Sequence, residues 1–227
     1  MNGLELLPFA LLGAVLGLDV VSFPQAQISR PLVAATLAGA LAGHPAQGLI
    51  IGAALELAAM ETLPVGASRY PEWGSASVVG GALFALTPAE TPGAMVCALV
   101  AALATAVASG YSMVLLRKQN AVWARKRRDR LEAGSRHTVI RLQIGSLTAD
   151  LVRGGVLTFL ALLLFRPLVA RALALYTIDA RLSRAVAVGV VSAVAAGAVW
   201  KLFHGAAGAR WYLLGGAVVG LGVVAFL

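Results

Sequence analysis

Apolar residues fill this chain in long runs, and polar residues gather into a few short interruptions. The first run, LELLPFALLGAVLGLDVVSF, has the length of about 20 residues that crosses a hydrocarbon core of about 30 Å. Residues 76–116 form a longer run that must hold two spans, interrupted near Pro88 and Pro92. Further spans follow in LTADLVRGGVLTFLALLLF, AVAVGVVSAVAAGAVWKLF and WYLLGGAVVGLGVVAFL. Between the first and second long runs lie two shorter apolar arms, 32–43 and 46–60, joined by GHPAQ. Neither is comfortably long enough to cross alone, so they predict a re-entrant hairpin within residues 23–68. The pattern predicts an all-α, polytopic integral membrane bundle.

Composition supports this class. Hydrophobic residues make up 59% of the 227 positions and charged residues only 12%, half the share of about 25% in a soluble domain. The N-terminus carries Glu5 in place of the Lys or Arg that opens a secretory signal, so the first run is expected to persist as a helix. A single cysteine, Cys97, allows no disulfide within the chain, and it sits in an apolar run where a spectator thiol is expected. His44, His137 and His204 show no ligand spacing, so no metal site and no cofactor are expected.

Charge is concentrated in one place. Residues 117–141 hold nine Lys or Arg against Asp129 and Glu132, which is +7 of the total +8. Flanked by spans on both sides, such a block is a cytoplasmic-face segment under the positive-inside rule, not a nucleic-acid patch. It is long enough for a helix lying on the inner leaflet, with Trp123 as its interfacial anchor. The reading divides the chain into an N-terminal membrane lobe (1–116), a basic amphipathic linker (117–141) and a C-terminal membrane lobe (142–227). Arg166, Arg171, Arg181 and Arg184 fit this topology poorly, since they fall on the expected outer side; either that segment is interfacial or the span count shifts by one.

Glycines at i, i+4 (Gly13 and Gly17, Gly39 and Gly43, Gly48 and Gly52, Gly216 and Gly220) follow the small-xxx-small pattern of close helix contact in lipid, within the bundle or against a partner or second copy. No Lys-Ser or Lys-Thr follows them, which excludes a phosphate-binding loop.

The candidate chemistry lies in FPQAQISRP. Pro24 and Pro31 bracket Gln25, Gln27, Ser29 and Arg30, and two prolines so placed break helical backbone. Broken backbone at membrane depth is tolerated where it is buried in protein or lines a polar cavity, as in the midplane sites of transporters. On the second arm Glu56 shares a helical face with Gly52 and Gly48. A carboxylate there costs about 3 kcal/mol or more in lipid, so it should face a cavity or a partner. The bland alternative pairs Glu56 with Arg30 or with a free backbone end. A carboxylate with amides and hydroxyls suits a polyol better than an ion, because each sugar hydroxyl both donates and accepts. Asp19, Glu61, Arg69 and Glu72 lie at expected helix ends or turns, where solvated charge is normal. Asp150 and Arg153, at i, i+3, read as a structural ion pair.

These residues carry a resemblance. SRPLVAATLAGALAGHPAQGLIIGAALELAAM resembles the opening of the membrane subunit IIC of the mannose, fructose and sorbose family of the bacterial phosphotransferase system. The matching positions are Gln27, Arg30, Pro31 and Leu32, then Thr36, Leu37 and Gly39, then Leu55 and Glu56. The similarity is strongest over 27–68 and continues more weakly through GSLTADLVRGG. The resemblance implies a sugar-translocating subunit of the bacterial inner membrane that works with a IID-like membrane subunit. Soluble IIA and IIB phosphocarriers would phosphorylate the incoming hexose, and no phosphorylated or catalytic residue is expected in this chain. Carried over by position, Gln27 and Glu56 would contact sugar hydroxyls, with Gln25, Ser29 and Glu61 near them. Pro24, Arg30, Pro31, Gly39, Gly48, Gly52 and Gly66 would shape the hairpin. The chain departs from the family in METLPVG, where a tryptophan and an asparagine are usual, which alters one wall of the expected pocket. It also ends about one span earlier than the family's usual end, which would alter assembly. Two rival readings follow: a non-transporting subunit that docks or regulates soluble phosphotransferase proteins, and a secondary transporter coupled to protons through Glu56.

Overall fold

The structure, a computed structural model, describes residues 3–60, 69–88, 91–175 and 179–226, and all of its regular elements there are helical. After a 3-10 turn (Gly3–Leu6) come α1 (Leu7–Asp19), α2 (Pro31–Leu41), α3 (Pro45–Ala59), α4 (Trp73–Ala85) and α5 (Ala94–Arg125). They are followed by α6 (Arg128–Glu132), α7 (Arg136–Leu175), α8 (Ala180–Phe203) and α9 (Ala209–Phe226). Three of them, α5, α7 and α8, are long and apolar enough to cross a membrane.

Helix α4 is the axis of the molecule. All thirteen of its residues, WGSASVVGGALFA, are buried, and it packs against α1, α2, α3, α5 and α7. Small residues occur all around it, so neighbours approach from every side, as expected of a helix enclosed on all faces. The outside of the bundle is apolar instead of polar, with Leu160, Leu163, Leu164, Val188 and Val218 among the exposed side chains. Such an exterior suits lipid and not water.

The two short arms of the sequence stand as α2 and α3, antiparallel and in their most extensive contact with each other. Pro31 and Pro45 occupy first-turn positions, where the missing N–H costs nothing. At the turn Gly43 takes φ +83°, a left-handed conformation that closes α2, with His44 N donating to Gly39 O at 2.8 Å. At eleven and fifteen residues the arms are about 17 and 23 Å long, short of a full crossing.

The hairpin closes tightly because Gly48 has no side chain. A Cβ there would lie 2.3 Å from Ala35 O and 3.0 Å from Gly39 Cα, both backbone atoms that cannot rotate away. Gly48→Ala is therefore expected to splay α2 from α3 and cost about 1–3 kcal/mol, read as a lowered thermal unfolding midpoint of the solubilised protein. Gly13 plays the same part where α1 crosses α7: a Cβ on it would meet the Thr158 side chain at 2.0 Å. Gly216 and Gly220 of α9, by contrast, have nothing within 4 Å of an added Cβ among the described residues.

The basic segment departs from its expected form. It is not a separate helix between lobes: α5 runs on through Arg125, α7 begins at Arg136, and only the five-residue α6 lies between them. No glycine or proline occurs from Tyr111 to Ala133, so α5 runs on to Arg125; the chain then breaks at Arg127 (φ −120°), and Gly134 at φ +72° follows α6. Helix α7 lies along α1, α4 and α5. At 40 residues α7 is about 60 Å long, twice the hydrocarbon thickness, so its ends project beyond a bilayer. Arg166 and Arg171 fall in its last three turns and Arg181 and Arg184 in the first turns of α8, which places the outer arginines around the α7–α8 junction.

Candidate functional site

The break predicted between Pro24 and Pro31 is present. Helix α1 ends at Asp19, α2 starts at Pro31, and the Phe23–Pro24 peptide is cis. Gln25 and Gln27 take φ +60° and +63°, left-handed conformations that cost a residue with a side chain about 1 kcal/mol each. Asp19 holds this backbone in place. Its carboxylate accepts from Ala26 N at 2.6 Å, Ser29 N at 2.9 Å and Ser29 Oγ at 2.8 Å.

Asp19 is 1% exposed, so the expectation of a solvated charge at a helix end is corrected: its solvent is the backbone of the knot. An acid at the end of an apolar helix, just ahead of a proline-bracketed break, is the sequence signal that marks it. Asp19→Ala leaves the buried N–H and hydroxyl of Ser29 and the part-buried Ala26 N–H without acceptors and is expected to cost about 3 kcal/mol. The check is limited proteolysis, which should cut the variant within residues 20–30 and spare the native chain.

Glu56 reaches the knot from α3. Its Oε1 pairs with Arg30, and its Oε2 accepts from Leu32 N at 3.1 Å, one of the free donors at the start of α2. The alternative reading of Glu56, pairing with Arg30 and capping a backbone end, thus describes its contacts in this conformation. The pair is partly open, with 37% of the Arg30 side chain and 22% of the Glu56 side chain exposed. Gly52, one turn before Glu56, brings α3 onto α2: a Cβ there would lie 2.8 Å from Pro31 O.

The remaining expected site residues divide. Gln25 and Gln27 are exposed; Gln25 Nε2 donates to Val21 O at 2.8 Å, and neither side chain bonds to Glu56. Ser29 is buried, and its hydroxyl donates to Asp19, so here it braces the knot. Glu61 and Gly66 lie outside the described residues.

Sequence reasoning missed a second polar centre behind the knot. Glu72, expected as solvated charge, is fully buried at the N-cap of α4, where its Oε1 accepts from Ser75 N at 3.1 Å and its Oε2 from Ser109 Oγ at 2.7 Å. Arg153 Nη1 donates to Ser109 Oγ at 3.1 Å and Ser112 Oγ at 3.2 Å, and Arg153 Nε donates to Asp150 Oδ1 at 2.8 Å. Ser22, one residue before the knot, donates to Asp150 Oδ2. A continuous polar chain therefore runs from the start of α4 through α5 and α7 to the edge of the broken segment. The Asp150–Arg153 pair is the structural ion pair expected from its spacing; the rest links residues 37 to 128 positions apart, which no local pattern announces.

A helical membrane bundle with one broken segment, a short hairpin laid against it and a carboxylate at their contact defines a class of polytopic proteins built around interrupted helices. Over residues 4–221 the chain matches the family described as the PTS system sorbose-specific IIC component, and it belongs to that family. A fructose permease IIC component of Bacillus subtilis (strain 168) is 35% identical over 79 residues, 35% of this chain and 29% of that relative. The alignment thus spans less than a third of the relative's length. The fold is similar to that of a solved membrane protein with a TM-score of 0.72 at 19% identity, covering 100% of this chain and 93% of the other. It is also similar to a chain in the cryo-EM structure of the mannose transporter ManYZ with microcin E492 (MceA), with a TM-score of 0.61 at 20% identity and coverage of 100% and 93%.

Proposed function

We propose that the chain is the sugar-translocating IIC subunit of a phosphoenolpyruvate-dependent phosphotransferase system in the bacterial inner membrane. It binds a hexose-like sugar at the knot and hairpin and works beside a IID-like membrane subunit. Soluble IIA and IIB subunits phosphorylate the sugar on the cytoplasmic side, which the basic α5–α7 connection faces. The observation that carries this reading is the meeting of Glu56 with the broken segment, inside a chain of this family.

Physically, the arrangement supplies what a polyol needs. Glu56 offers carboxylate oxygens, Gln25 and Gln27 offer exposed amides that donate and accept, and the left-handed backbone holds both glutamines outside any helix. The Arg30–Glu56 pair is open enough to exchange partners when a sugar arrives. Because α2 and α3 form a hairpin on the enclosed α4, they can move as a unit and alternate access to the two sides.

The test is uptake of radiolabelled mannose, fructose, sorbose and amino sugars into cells that express the chain with a IID-type partner and soluble IIA and IIB proteins. Saturable, partner-dependent uptake that requires phosphoenolpyruvate is expected. Uptake driven by a proton gradient without the phosphocarriers, or none with a well-folded complex, would refute the proposal.

A further inference from the structure

A cavity of about 520 Å³ lies between α5 and α7 beside the knot, at the basic end of the bundle. This is within the range of about 300–1,000 Å³ of small-molecule sites. Its polar lining comes from Ser22, Arg117, Asn120, Gln143, Ser146 and Asp150; the other walls are apolar, with Leu116 from α5 and Leu142 from α7.

The charged groups in this lining already have partners within the chain, a carboxylate–guanidinium pair for Asp150 and an aromatic hydroxyl and ring for Arg117. Asp150 is held by Arg153 and Ser22, and Arg117 hydrogen-bonds to the Tyr70 hydroxyl with its guanidinium 5.0 Å from the Tyr70 ring centre. The capacity left over belongs to neutral groups. Asn120 Oδ1 is buried and accepts no hydrogen bond, which is costly unless a donor is brought to it. Gln143 is exposed, and Ser146 shares a helical face with both Gln143 (i, i+3) and Asp150 (i, i+4). A sugar hydroxyl both donates and accepts, so it can donate to Asn120 Oδ1 while accepting from the Gln143 amide. Apolar walls beside amides and hydroxyls also match a pyranose or furanose ring, which has C–H faces and a polar edge.

Position completes the argument. The broken segment has Ser22 in this cavity at one end and Arg30 on Glu56 at the other. We propose that the α5–α7 cavity is a second subsite for a neutral, hexose-sized polyol, on the way from the knot to the basic face. The inference rests on the reading of the chain as a sugar-translocating subunit.

A hexose bearing a small diazirine tests both together. The full chain, in lipid nanodiscs with and without a IID-type partner, is photolabelled, digested and mapped by mass spectrometry. Labelled peptides are expected from residues 113–124 and 139–150 as well as from 23–56, all suppressed by excess unlabelled hexose. Asn120→Leu combined with Gln143→Leu should lower labelling at 113–150 by about tenfold, the effect of one or two lost hydrogen bonds, and leave 23–56 labelled. Glu56→Gln should do the reverse. Gln143→Ala, at an exposed position, provides a variant that retains the fold and should also weaken labelling at 113–150. Label confined to 23–56 overturns the second subsite and leaves the first standing. Label at 113–150 that excess hexose does not suppress, or that anionic lipid displaces, also overturns it. No label anywhere overturns the sugar-translocation reading itself.

Discussion

Glu56→Gln is expected to reduce sugar uptake by about a hundredfold or more while leaving the protein folded. The substitution keeps the size of the side chain and keeps an oxygen to accept from Leu32 N, now at 3.1 Å from Oε2. It removes the ion pair to Arg30, but that pair is 37% and 22% exposed, and partly exposed pairs contribute about 1 kcal/mol or less. The thermal midpoint should therefore fall by no more than about 2–4 °C. Function is affected far more, because Glu56 is the only acid between Pro31 and Met60 and so the only anionic acceptor within α2 and α3. Hydrogen bonds to a charged group are worth about 1.5–3 kcal/mol each, and losing that quality of bond to two hydroxyls gives the expected factor. Uptake and thermal unfolding should be measured on the same preparations. Normal uptake in the variant would reduce Glu56 to a cap on α2; uptake and fold lost together would make its role structural.

The second large effect is expected from Arg153→Met, and it falls on stability. Arg153 and Asp150 are 9% and 3% exposed, and Glu72, linked to them through Ser109, is fully buried. Arg153 Nε carries the aligned bond; Nη2 lies 2.8 Å from the same Asp150 oxygen but makes no hydrogen bond. Removing the guanidinium leaves Asp150 and, through Ser109, Glu72 without their cation. Breaking a buried pair from one side costs about 3–5 kcal/mol. A variant carrying both Asp150→Asn and Arg153→Met should recover a large part of that loss, since no uncompensated charge then remains at that end, and the two changes should be strongly non-additive. Thermal unfolding of the single and double variants decides the matter. A single variant as stable as the native chain would mean that the polar chain contributes nothing to the fold.

Both predictions involve residues whose meaning was unequally legible. Glu56 is marked locally, because a lone acid four and eight residues beyond Gly52 and Gly48 must lie on the face that packs. The hairpin was legible for the same reason: two apolar arms with a proline at each start and a glycine at the turn have few other ways to fold. The Asp150–Arg153 pairing follows from helical spacing alone. Glu72 was misread because a turn rich in proline and glycine usually meets solvent, whereas here residues 69–72 lie across α5, with Glu72 N donating to Ala106 O at 3.0 Å. Asp19 was misread because its partners are backbone N–H groups, which carry no residue identity for a sequence to display.

What the sequence determined by itself is whatever depends on length, period and local stereochemistry. Apolar runs set the membrane class, proline placement set the break at 24–31, and glycine spacing set the close contact of α2 with α3. What only the tertiary structure decided is which buried groups satisfy one another. A charge enclosed by packed side chains needs a partner, and any helix can supply it: α5 supplies Ser109 to Glu72, α7 supplies Asp150 to Ser22, and the knot supplies its own backbone to Asp19. Those pairings depend on which helices are neighbours, a property of the whole bundle that no stretch of the chain carries alone.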